Sequence, residues 1–449
     1  MEFITTQKNT RKLKILNFMF TKHRDGSDEV EIWRCEVRTC RKRVHMHKNR
    51  IVHEIGEHNH AVVHGKAEVE ETQALMRNNA ATLEQPTRVV VNRALLNIPV
   101  ELSNLIPGRD SLARGVRRHR QIARALANDL APVGSTTDGS DFLRVDEDDL
   151  KIFASDVDLE FLSDCEHWFA DGTFRVTPAG YAQVYTVHGF SHDRTFPCVY
   201  ALLSGKTEEI YTDLFQRLLQ LRNDLNPVSI MTDFELAAIN AFKSTFPDVT
   251  ISGCMFHLGQ CMWRRLQDLG MVARYNTEPE FALKVKIILA LAFLPLDDVV
   301  IHFETLIADP AYRDLDPLIL YFEDNFIGRQ RGNRRLDPRF SIDLWNQYDR
   351  VLNQLPRSNN AVEGWHNSFN NCVDIAHPTV QNLAQKLQME QHSMFIFRHQ
   401  MNLGQPAPRK KKKYQLTNAA LFTMVNDYRN RQPMQYLGDI ARVLNINVV

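Results

Sequence analysis

The chain has 449 residues, of which 44% are hydrophobic and 24% charged, a composition typical of globular proteins. Lys and Arg together number 54, as do Asp and Glu, so a chain with a strong net charge of one sign is excluded. We expect no membrane-spanning helix and no secretory signal. The seven scattered cysteines argue against a disulfide framework and favour a reducing intracellular compartment.

Basic residues are concentrated in three segments of this neutral chain. Residues 1–66 contain 14 Lys and Arg against 8 Asp and Glu. A second set, at helical spacing, consists of Arg114, Arg117, Arg118, Arg120 and Arg124, and the third is the run Arg409–Lys413. Such patches predict local contacts with anions.

The N-terminal region, 11–66, is predicted to form short strands in the segments LKILNFMF, EVEIWRCEV, KRVHMH and RIVHEI. Turns are expected at Asp25-Gly26-Ser27 and at Lys48-Asn49-Arg50. Because so small a sheet has few apolar residues, it needs an additional constraint to be stable.

Helices are predicted next, over 68–81, 87–97 and 109–127, within a helical linker domain of residues 67–130. The arginines of the last helix could form an accessory DNA-binding unit, or they could lie on a solvated face of a connecting bundle. Residues 131–145, rich in Gly, Ser and Thr, are predicted to be a linker or surface loop.

From about residue 150 strands and helices alternate. Strands are predicted over 167–176, 182–190, 196–204, 228–234 and 249–254, and helices over 207–224, 235–246 and 257–268. This order predicts an α/β fold with a mixed sheet of the ribonuclease-H type. Residues 275–355 are predicted to be a helical insertion, followed by helices over 359–371 and 378–400 and by a basic C-terminal tail, 405–449.

Cys35, Cys40, His58 and His60 follow the spacing C-x4-C-x17-H-x-H. Two thiolates and two imidazoles are the ligands of a tetrahedral structural zinc site, which would constrain the small sheet. The alternative is two unpaired thiols and surface histidines.

These ligands, together with Phe18, Phe20, Trp33 and the segment Gly56-Glu57-His58-Asn59-His60, resemble a FLYWCH-type zinc finger over residues 5–62. Ile32 departs from the family, which usually has an aromatic residue before the tryptophan. The resemblance implies recognition of double-stranded DNA. The residues available for contacts with phosphates and bases are Arg34, Arg38, Arg41, Lys42 and Arg43.

Three carboxylates form a second constellation. Asp171 lies in WFADGTF, where we expect it to close a strand, with Gly172 letting the backbone turn and leave the carboxylate exposed. Asp233 ends the strand VSIMTD, and Glu363 opens a helix in SNNAVEGWHN. Each alone is typical of a turn or a helix cap. Together they predict a site for two divalent cations, Mg²⁺ or Mn²⁺.

The segments ADGTF, MTDFE, GCMFH and NNAVEGWHNSFN, in this order, resemble the transposases of Mutator-like elements (MULE) over about residues 150–400. The resemblance implies a catalytic triad of Asp171, Asp233 and Glu363, excluding Glu235. It implies an accessory active-site role for Cys254 and His257, which could otherwise be a buried thiol and a helix-start histidine. Trp365 would stack on a displaced base or pack internally.

The first functional hypothesis is a nuclear DNA transposase that cuts at transposon terminal inverted repeats and joins them to target DNA as a homo-oligomer. The alternative is a domesticated, transposase-derived transcriptional regulator that binds DNA without catalysis. The run Arg409–Lys413 is predicted to be a nuclear-import signal, or else a solvated tail.

Overall fold

The computed structural model describes residues 2–5, 11–62, 65–82, 87–96, 98–99, 102, 105–126, 134–373, 376–406 and 412–444. The chain divides into two compact units, Met1–Leu130 and Ala131–Val449. None of the helices in these described ranges is both long and apolar enough to cross a membrane.

The first unit begins with a six-stranded antiparallel sheet in which each strand pairs with the next along the chain. Its strands are β1 (Glu2–Thr5), β2 (Arg11–Ile15), β3 (Phe18–Asp25), β4 (Val30–Cys35), β5 (Arg43–His47) and β6 (Arg50–Ile55). Its buried core is small and includes two cysteines. The core residues are Leu13, Phe20, Trp33, Cys35, Cys40, Val44 and Met46. A core of this size gives the sheet little stability by itself.

The segment LKILNFMF forms two strands, so the prediction of one strand there is wrong. Leu16 and Asn17 form a tight turn with φ of 46° and 68°. Two successive positive φ values characterise hairpin turns, whose twist matches that of the flanking strands. The predicted turn at Lys48 and Asn49 is confirmed, with φ of 48° and 62°.

Three helices complete the unit: α1 (Lys66–Thr82), α2 (Thr87–Leu95) and α3 (Arg109–Leu126). They lie within two residues of their predicted bounds. Arg120 is buried among them, donating to Ala80 O at 3.4 Å and to Thr87 Oγ1 at 3.2 Å. Arg114, Arg117 and Arg118 are exposed, and the side chain of Arg124 is outside the described residues.

The second unit contains a mixed seven-stranded sheet in the order β13-β12-β9-β10-β11-β8-β7. The strands β9, β12 and β13 are parallel to one another, and the other pairs are antiparallel. The bounds are β7 (Leu143–Asp146), β8 (Leu150–Phe153), β9 (His167–Thr173), β10 (Gln183–Ser191), β11 (Arg194–Leu203), β12 (Ser229–Thr232) and β13 (Thr250–Gly253). β7 begins within the predicted loop 131–145, because a four-residue edge strand shows little periodicity.

Helices α4 (Asp156–Ser163), α5 (Glu208–Leu221), α6 (Leu236–Thr245) and α7 (Met255–Asp268) accompany the sheet. The predicted helical insertion contains α8 (Val272–Thr277), α9 (Pro279–Ala290), α10 (Leu296–Ala308), α11 (Asp316–Phe322), α12 (Ile342–Trp345) and α13 (Tyr348–Leu352). It also contains a hairpin that the sequence analysis missed, β14 (Gln330–Arg331) and β15 (Arg334–Arg335).

Four helices follow, α14 (Asn360–Val373), α15 (Val380–Asn402), α16 (Lys412–Asn426) and α17 (Pro433–Val443). α17 packs on α9, burying Tyr436, Leu437 and Ile440, and Tyr436 Oη donates to Phe293 O at 2.5 Å. The segment predicted as a basic, helical tail, 405–449, contains these two helices, and their buried side chains belong to the core. Of the predicted nuclear-import signal, Arg409, Lys410 and Lys411 lie outside the described residues.

A buried ion pair joins α4 to α15. Arg398 binds the carboxylate of Asp158, which also accepts from Ser155 Oγ at 2.6 Å. Both members of the ion pair are almost completely buried. The pair therefore fixes α15 to α4 by polar contacts.

Candidate functional site

The four predicted zinc ligands converge in the first unit. Cys35 ends β4, Cys40 lies in the turn before β5, and the two histidines follow β6. Cys35 Sγ lies 3.2 Å from His60 Nε2, and Cys40 Sγ lies 3.4 Å from His58 Nδ1. All four ligand atoms are within 4.8 Å of one another. Sulfur and nitrogen ligands of an ideal tetrahedral zinc ion are about 3.6 Å apart, so this donor set fits the metal.

The surroundings of the ligands favour their metal-binding forms. His60 Nδ1 lies 3.0 Å from Ala61 O, and a proton on Nδ1 leaves the Nε2 lone pair for a metal. The Phe18 ring stacks on His58, with centroids 3.5 Å apart and planes at 5°. Burial and the neighbouring His60 lower the pKa of His58, which keeps it neutral. Burial raises the pKa of Cys40, but backbone N–H groups of Lys42 and Asn59 outweigh it and lower the pKa.

The predicted DNA-binding residues of this module differ in their contacts. Arg34, Arg38, Arg41 and Arg43 are exposed, and no carboxylate pairs with them among the described residues. Arg34 and Arg43 are directly opposite each other on β4 and β5. Lys42 binds Glu54 Oε2 at 2.5 Å. The four arginines are therefore the available cations.

The three predicted catalytic carboxylates come from two adjacent parallel strands and one helix. Asp171 lies in β9, Asp233 follows β12, and Glu363 lies in the first turn of α14. The pKa of Asp171 is raised to about 7, mainly by burial. The charge of His257 lowers this pKa, and the charges of Asp233 and Glu363 raise it. The charges of Asp233 and Glu363 therefore both reach Asp171.

The expectation that Asp171 is exposed at the end of a strand is wrong. β9 continues to Thr173, and Asp171 is buried within it. Gly172 is not in the left-handed region either. A Cβ atom there would lie 2.2 Å from Gln183 Oε1 on β10, so the glycine leaves room for that side chain. Gly172 N donates to Asp171 Oδ1 at 2.9 Å, which orients the carboxylate.

Asp233 and Glu235 have different surroundings. Asp233 Oδ1 accepts from the backbone N–H of Glu235 at 3.2 Å. The carboxylate of Glu235 accepts from Tyr211 Oη at 2.9 Å and from Lys206 Nζ at 3.1 Å. Glu235 is thus occupied by two donors, which agrees with its exclusion from the predicted triad.

Cys254 and His257 both contact the segment that carries Glu363. The buried Cys254 Sγ accepts from Asn359 N at 3.1 Å, and Asn359 Nδ2 donates to Ala170 O, beside Asp171, at 3.1 Å. His257 Nε2 lies 3.1 Å from Glu363 Oε1. Burial lowers the pKa of His257, but Cys254, Glu363 and Asp171 outweigh it and raise the pKa to about 11. In the metal-free chain His257 is therefore a cation among carboxylates.

A buried polar chain that the sequence analysis missed lies behind Asp171. His188 Nε2 and His366 Nε2 each lie 3.0 Å from Thr186 Oγ1, and His366 Nδ1 lies 3.7 Å from Asp171 Oδ2. Burial lowers the pKa of His366 to about 4, so it is neutral. His366 follows Glu363 by three positions, and this helical spacing was the signal available in the sequence.

Trp365 packs internally. Its Nε1 donates to Glu390 Oε1 at 2.7 Å, and its ring stacks on Phe369 with centroids 5.0 Å apart. These contacts favour packing over the stacking of a displaced base. Phe174, three residues after Asp171, is instead 52% exposed, with Lys206 Nζ 4.4 Å from its ring centroid.

The two sites differ in compactness. The ligand atoms of Cys35, Cys40, His58 and His60 all lie within 4.8 Å of one another. Among the described residues, no other group of three or more His, Cys, Asp or Glu side chains is gathered in this way. The carboxylates are less tightly gathered. Carboxylate oxygens are the type of donor that Mg²⁺ and Mn²⁺ prefer.

Comparison with models of known families identifies two regions of the chain. Residues 167–260 match the MULE transposase domain, and residues 3–60 match the FLYWCH zinc finger domain. Both resemblances drawn from the sequence are thereby confirmed. No curated protein matches the chain. The first match contains Asp171 and Asp233, while Glu363 lies beyond it. Together the matches support a transposase-like, DNA-binding protein.

Proposed function

We propose that this protein is a DNA transposase-like enzyme that cleaves and joins DNA strands with Asp171, Asp233 and Glu363. The observations that carry the proposal are the adjacent parallel strands β9 and β12, which bear Asp171 and precede Asp233, and the contact between His257 and Glu363. Asp171 and Asp233 belong to adjacent parallel strands inside the region that matches a transposase domain. Carboxylates brought close together from distant parts of a chain repel one another and destabilise the fold unless a cation binds between them.

The proposed catalytic domain spans about residues 150–400 and has a ribonuclease-H-like sheet with a helical insertion. Three antiparallel strands, β9 to β11, are followed by β12 and β13 on the other side of β9, which supports this assignment. The zinc module of residues 5–62 is the proposed DNA reader, using Arg34, Arg38, Arg41 and Arg43. The helical domain of residues 67–130 is a proposed accessory DNA-binding unit, since Arg114, Arg117 and Arg118 are exposed.

The proposed reaction has two steps, cleavage of a DNA strand and its transfer to target DNA. In the first, a water oxygen bonds to phosphorus and the bond to the 3′ oxygen breaks, leaving a 3′-hydroxyl and a 5′-phosphate. In the second, that 3′-hydroxyl attacks a target phosphodiester and releases another 3′-hydroxyl. Bound Mg²⁺ or Mn²⁺ ions would activate the attacking hydroxyl and stabilise the charge on the leaving oxygen.

The residues around the triad position it. The backbone N–H groups of Gly172 and Glu235 each hold one oxygen of an aspartate, leaving the second oxygen for a cation. Cys254 holds the start of α14 through Asn359. His257 binds Glu363 and offsets part of the negative charge when no cation is present.

The test is nicking of supercoiled plasmid DNA in Mg²⁺ or Mn²⁺ by the full chain and four amide variants. Asp171→Asn, Asp233→Asn and Glu363→Gln should each lose nicking by at least roughly 100-fold. Glu235→Gln, the matched control, should retain it. A readout independent of turnover is the rise in melting temperature on adding Mn²⁺, which the three triad variants should lack.

Equal nicking by all four variants would contradict the carboxylate assignment. Salt-sensitive DNA binding without nicking, and without a Mn²⁺ effect on melting, would favour the alternative of a domesticated DNA-binding regulator.

We also propose that the protein acts in the nucleus, on transposon terminal inverted repeats, as a homo-oligomer. The match to a zinc finger domain supports DNA as the ligand and the nucleus as the compartment. Replacing Arg409–Lys413 by alanines in a fluorescent fusion should move it to the cytoplasm, and unchanged nuclear accumulation would reject the import signal. Light scattering with and without DNA measures the oligomeric state.

A further inference from the structure

The hairpin β14–β15, within the helical insertion, is unusually basic. Its segment, GRQRGNRRLDPRF (residues 328–340), contains five arginines. The strands are joined by the two-residue turn Gly332–Asn333, in which Gly332 takes a φ of 62°. A turn of this length holds the strands in a fixed register and fixes the face on which each side chain lies.

One face of this hairpin attaches to the protein. Arg335 Nη1 lies 3.1 Å from Glu323 Oε1, and its Nη2 lies 2.6 Å from Glu304 Oε1. Arg329 pairs with Asp324. These two arginines are therefore neutralised and act as anchors.

The opposite face carries an unneutralised pair of like charges. Arg331 and Arg334 are directly opposite each other in the hairpin register, and both are exposed. Within the described part of the chain no carboxylate pairs with either one. Like charges at directly opposed positions destabilise a strand pair. A polyanion bound to this face would remove that repulsion.

The base of the hairpin lies against the residue that follows Asp233. The Phe234 ring is 5.1 Å from that of Phe340 and 5.8 Å from that of Phe326, the residues flanking the hairpin. Phe234 lies over Gly253, where a Cβ atom would come within 2.7 Å of its ring. The hairpin is therefore attached directly beside the carboxylate site.

Two more arginines add exposed positive charge to this unit. Arg264 on α7 and Arg339 are exposed and pair with no carboxylate among the described residues. Burial raises the pKa of the Cys261 thiol, and the charges of Arg264, His257 and Arg339 lower it while Asp233 raises it. The charges of the two arginines therefore reach the same thiol as those of Asp233 and His257.

We propose that the hairpin β14–β15 is a second DNA-binding element, in which Arg331 and Arg334 contact backbone phosphates of the duplex held at the carboxylate site. A two-stranded ribbon is narrow enough to enter a major groove, and arginines bind phosphates well. The zinc module presents a similar opposed pair, Arg34 and Arg43. This inference rests on the proposed function for the identity of the ligand, which is DNA.

The test measures binding of the full chain to a fluorescent DNA duplex across a salt series, without added Mg²⁺ or Mn²⁺. Arg331→Ala/Arg334→Ala should reduce the slope of log K against log salt by about 2, since each phosphate contact contributes about 0.9. The affinity at about 0.15 M salt should fall roughly tenfold or more. The matched control is Arg313→Ala/Arg429→Ala, two exposed arginines elsewhere in the same unit, which should leave both quantities unchanged.

A photo-crosslinking residue at Asn333, in the hairpin turn, supplies the second measurement. It should crosslink to the duplex, whereas the same residue at the exposed Leu320 of α11 should not. Both measurements are independent of turnover, so a chain that fails to nick plasmid can still support the hairpin assignment. An unchanged salt slope together with no crosslink at Asn333 would overturn the proposal even if the triad variants lose nicking.

Discussion

The zinc centre and the carboxylate site use their surroundings in opposite ways. The zinc ligands come from 26 consecutive residues, Cys35 to His60, and two of them form part of a seven-residue core. The carboxylates come from β9, β12 and α14 and rest on the extensive core of the second unit. We therefore expect a metal to complete the fold in the first region. In the second region we expect the fold to form first and to hold the carboxylates in place.

The largest expected effect is the loss of the small sheet when a zinc ligand is removed. His58→Ala should release the zinc and expose the amides of β2 to β5 to exchange, because structural zinc supplies on the order of 10 kcal/mol. Hydrogen exchange and zinc content of the full chain measure this effect. His53→Ala, at an exposed histidine of β6, is the control. Protected amides in zinc-free His58→Ala would contradict the idea that the metal completes this fold.

The stability of the second unit should depend instead on its own buried contacts, including the ion pair between Asp158 and Arg398. Arg398→Met leaves Asp158 buried without its cation, which should cost about 3–5 kcal/mol in urea unfolding. Zinc content and the exchange of β2 to β5 should not change. Asp158→Asn/Arg398→Met should recover part of the loss. A cost under about 1 kcal/mol for the single variant would show that the pair contributes little to this unit.

The burial of Asp171, together with the nearby charges of Asp233 and Glu363, predicts a stabilising variant. The pKa of Asp171 is about 7 in the fold, against about 3.9 in an unfolded chain. Between these values the unfolded chain binds fewer protons, so stability falls as the pH rises from about 4 to about 7.

Asp171→Asn removes that penalty and should stabilise the chain by about 2–4 kcal/mol at pH 8, without added Mg²⁺ or Mn²⁺. The gain should vanish near pH 4. Thermal melts at both pH values measure it, with Asp248→Asn, at an exposed carboxylate, as the control. A destabilised variant at pH 8 would mean that the fold needs the charge.

The smallest expected effect concerns the ring that stacks on a zinc ligand. Phe18→Leu should increase the rate of zinc release to a chromogenic chelator by about tenfold, since residues that orient metal ligands contribute on this scale. Phe3→Leu is the matched control, because Phe3 packs on Trp33 and not on a ligand. Equal rates in the two variants would show that the stacking on His58 does not hold the metal.

The same contrast explains what could be predicted from the sequence. The zinc ligands are close in the chain, so their spacing alone indicated the cluster that the structure contains. Long helices such as α3 and α5 have clear periodicity and were predicted nearly to their bounds. The turn at Leu16 was missed because leucine rarely adopts positive φ, and β7 and β14 were missed because very short strands have no usable period.

Strand-end and helix-start positions suggested the carboxylate site, and the family resemblance was needed to select its three members. Nothing in the spacing of Asp171, Asp233 and Glu363 brings them together, since that depends on the pairing of β9 with β12 and on the packing of α14. Their catalytic role stays a prediction. His366 and Thr186 were missed because a histidine on a helix and a threonine on a strand gain a role only when the fold buries them together.

The packing of α17 on α9 has a consequence for the order in which the chain matures. The zinc module, residues 5–62, is synthesised well before α17, and we expect it to need only a metal ion to fold. The apolar side of α9 emerges about 150 residues before Tyr436, Leu437 and Ile440, the side chains that cover it. Nascent chains expose that surface throughout this interval, and unprotected apolar surface promotes aggregation. We therefore expect this surface to be protected from aggregation only once α17 has been made and has packed on α9.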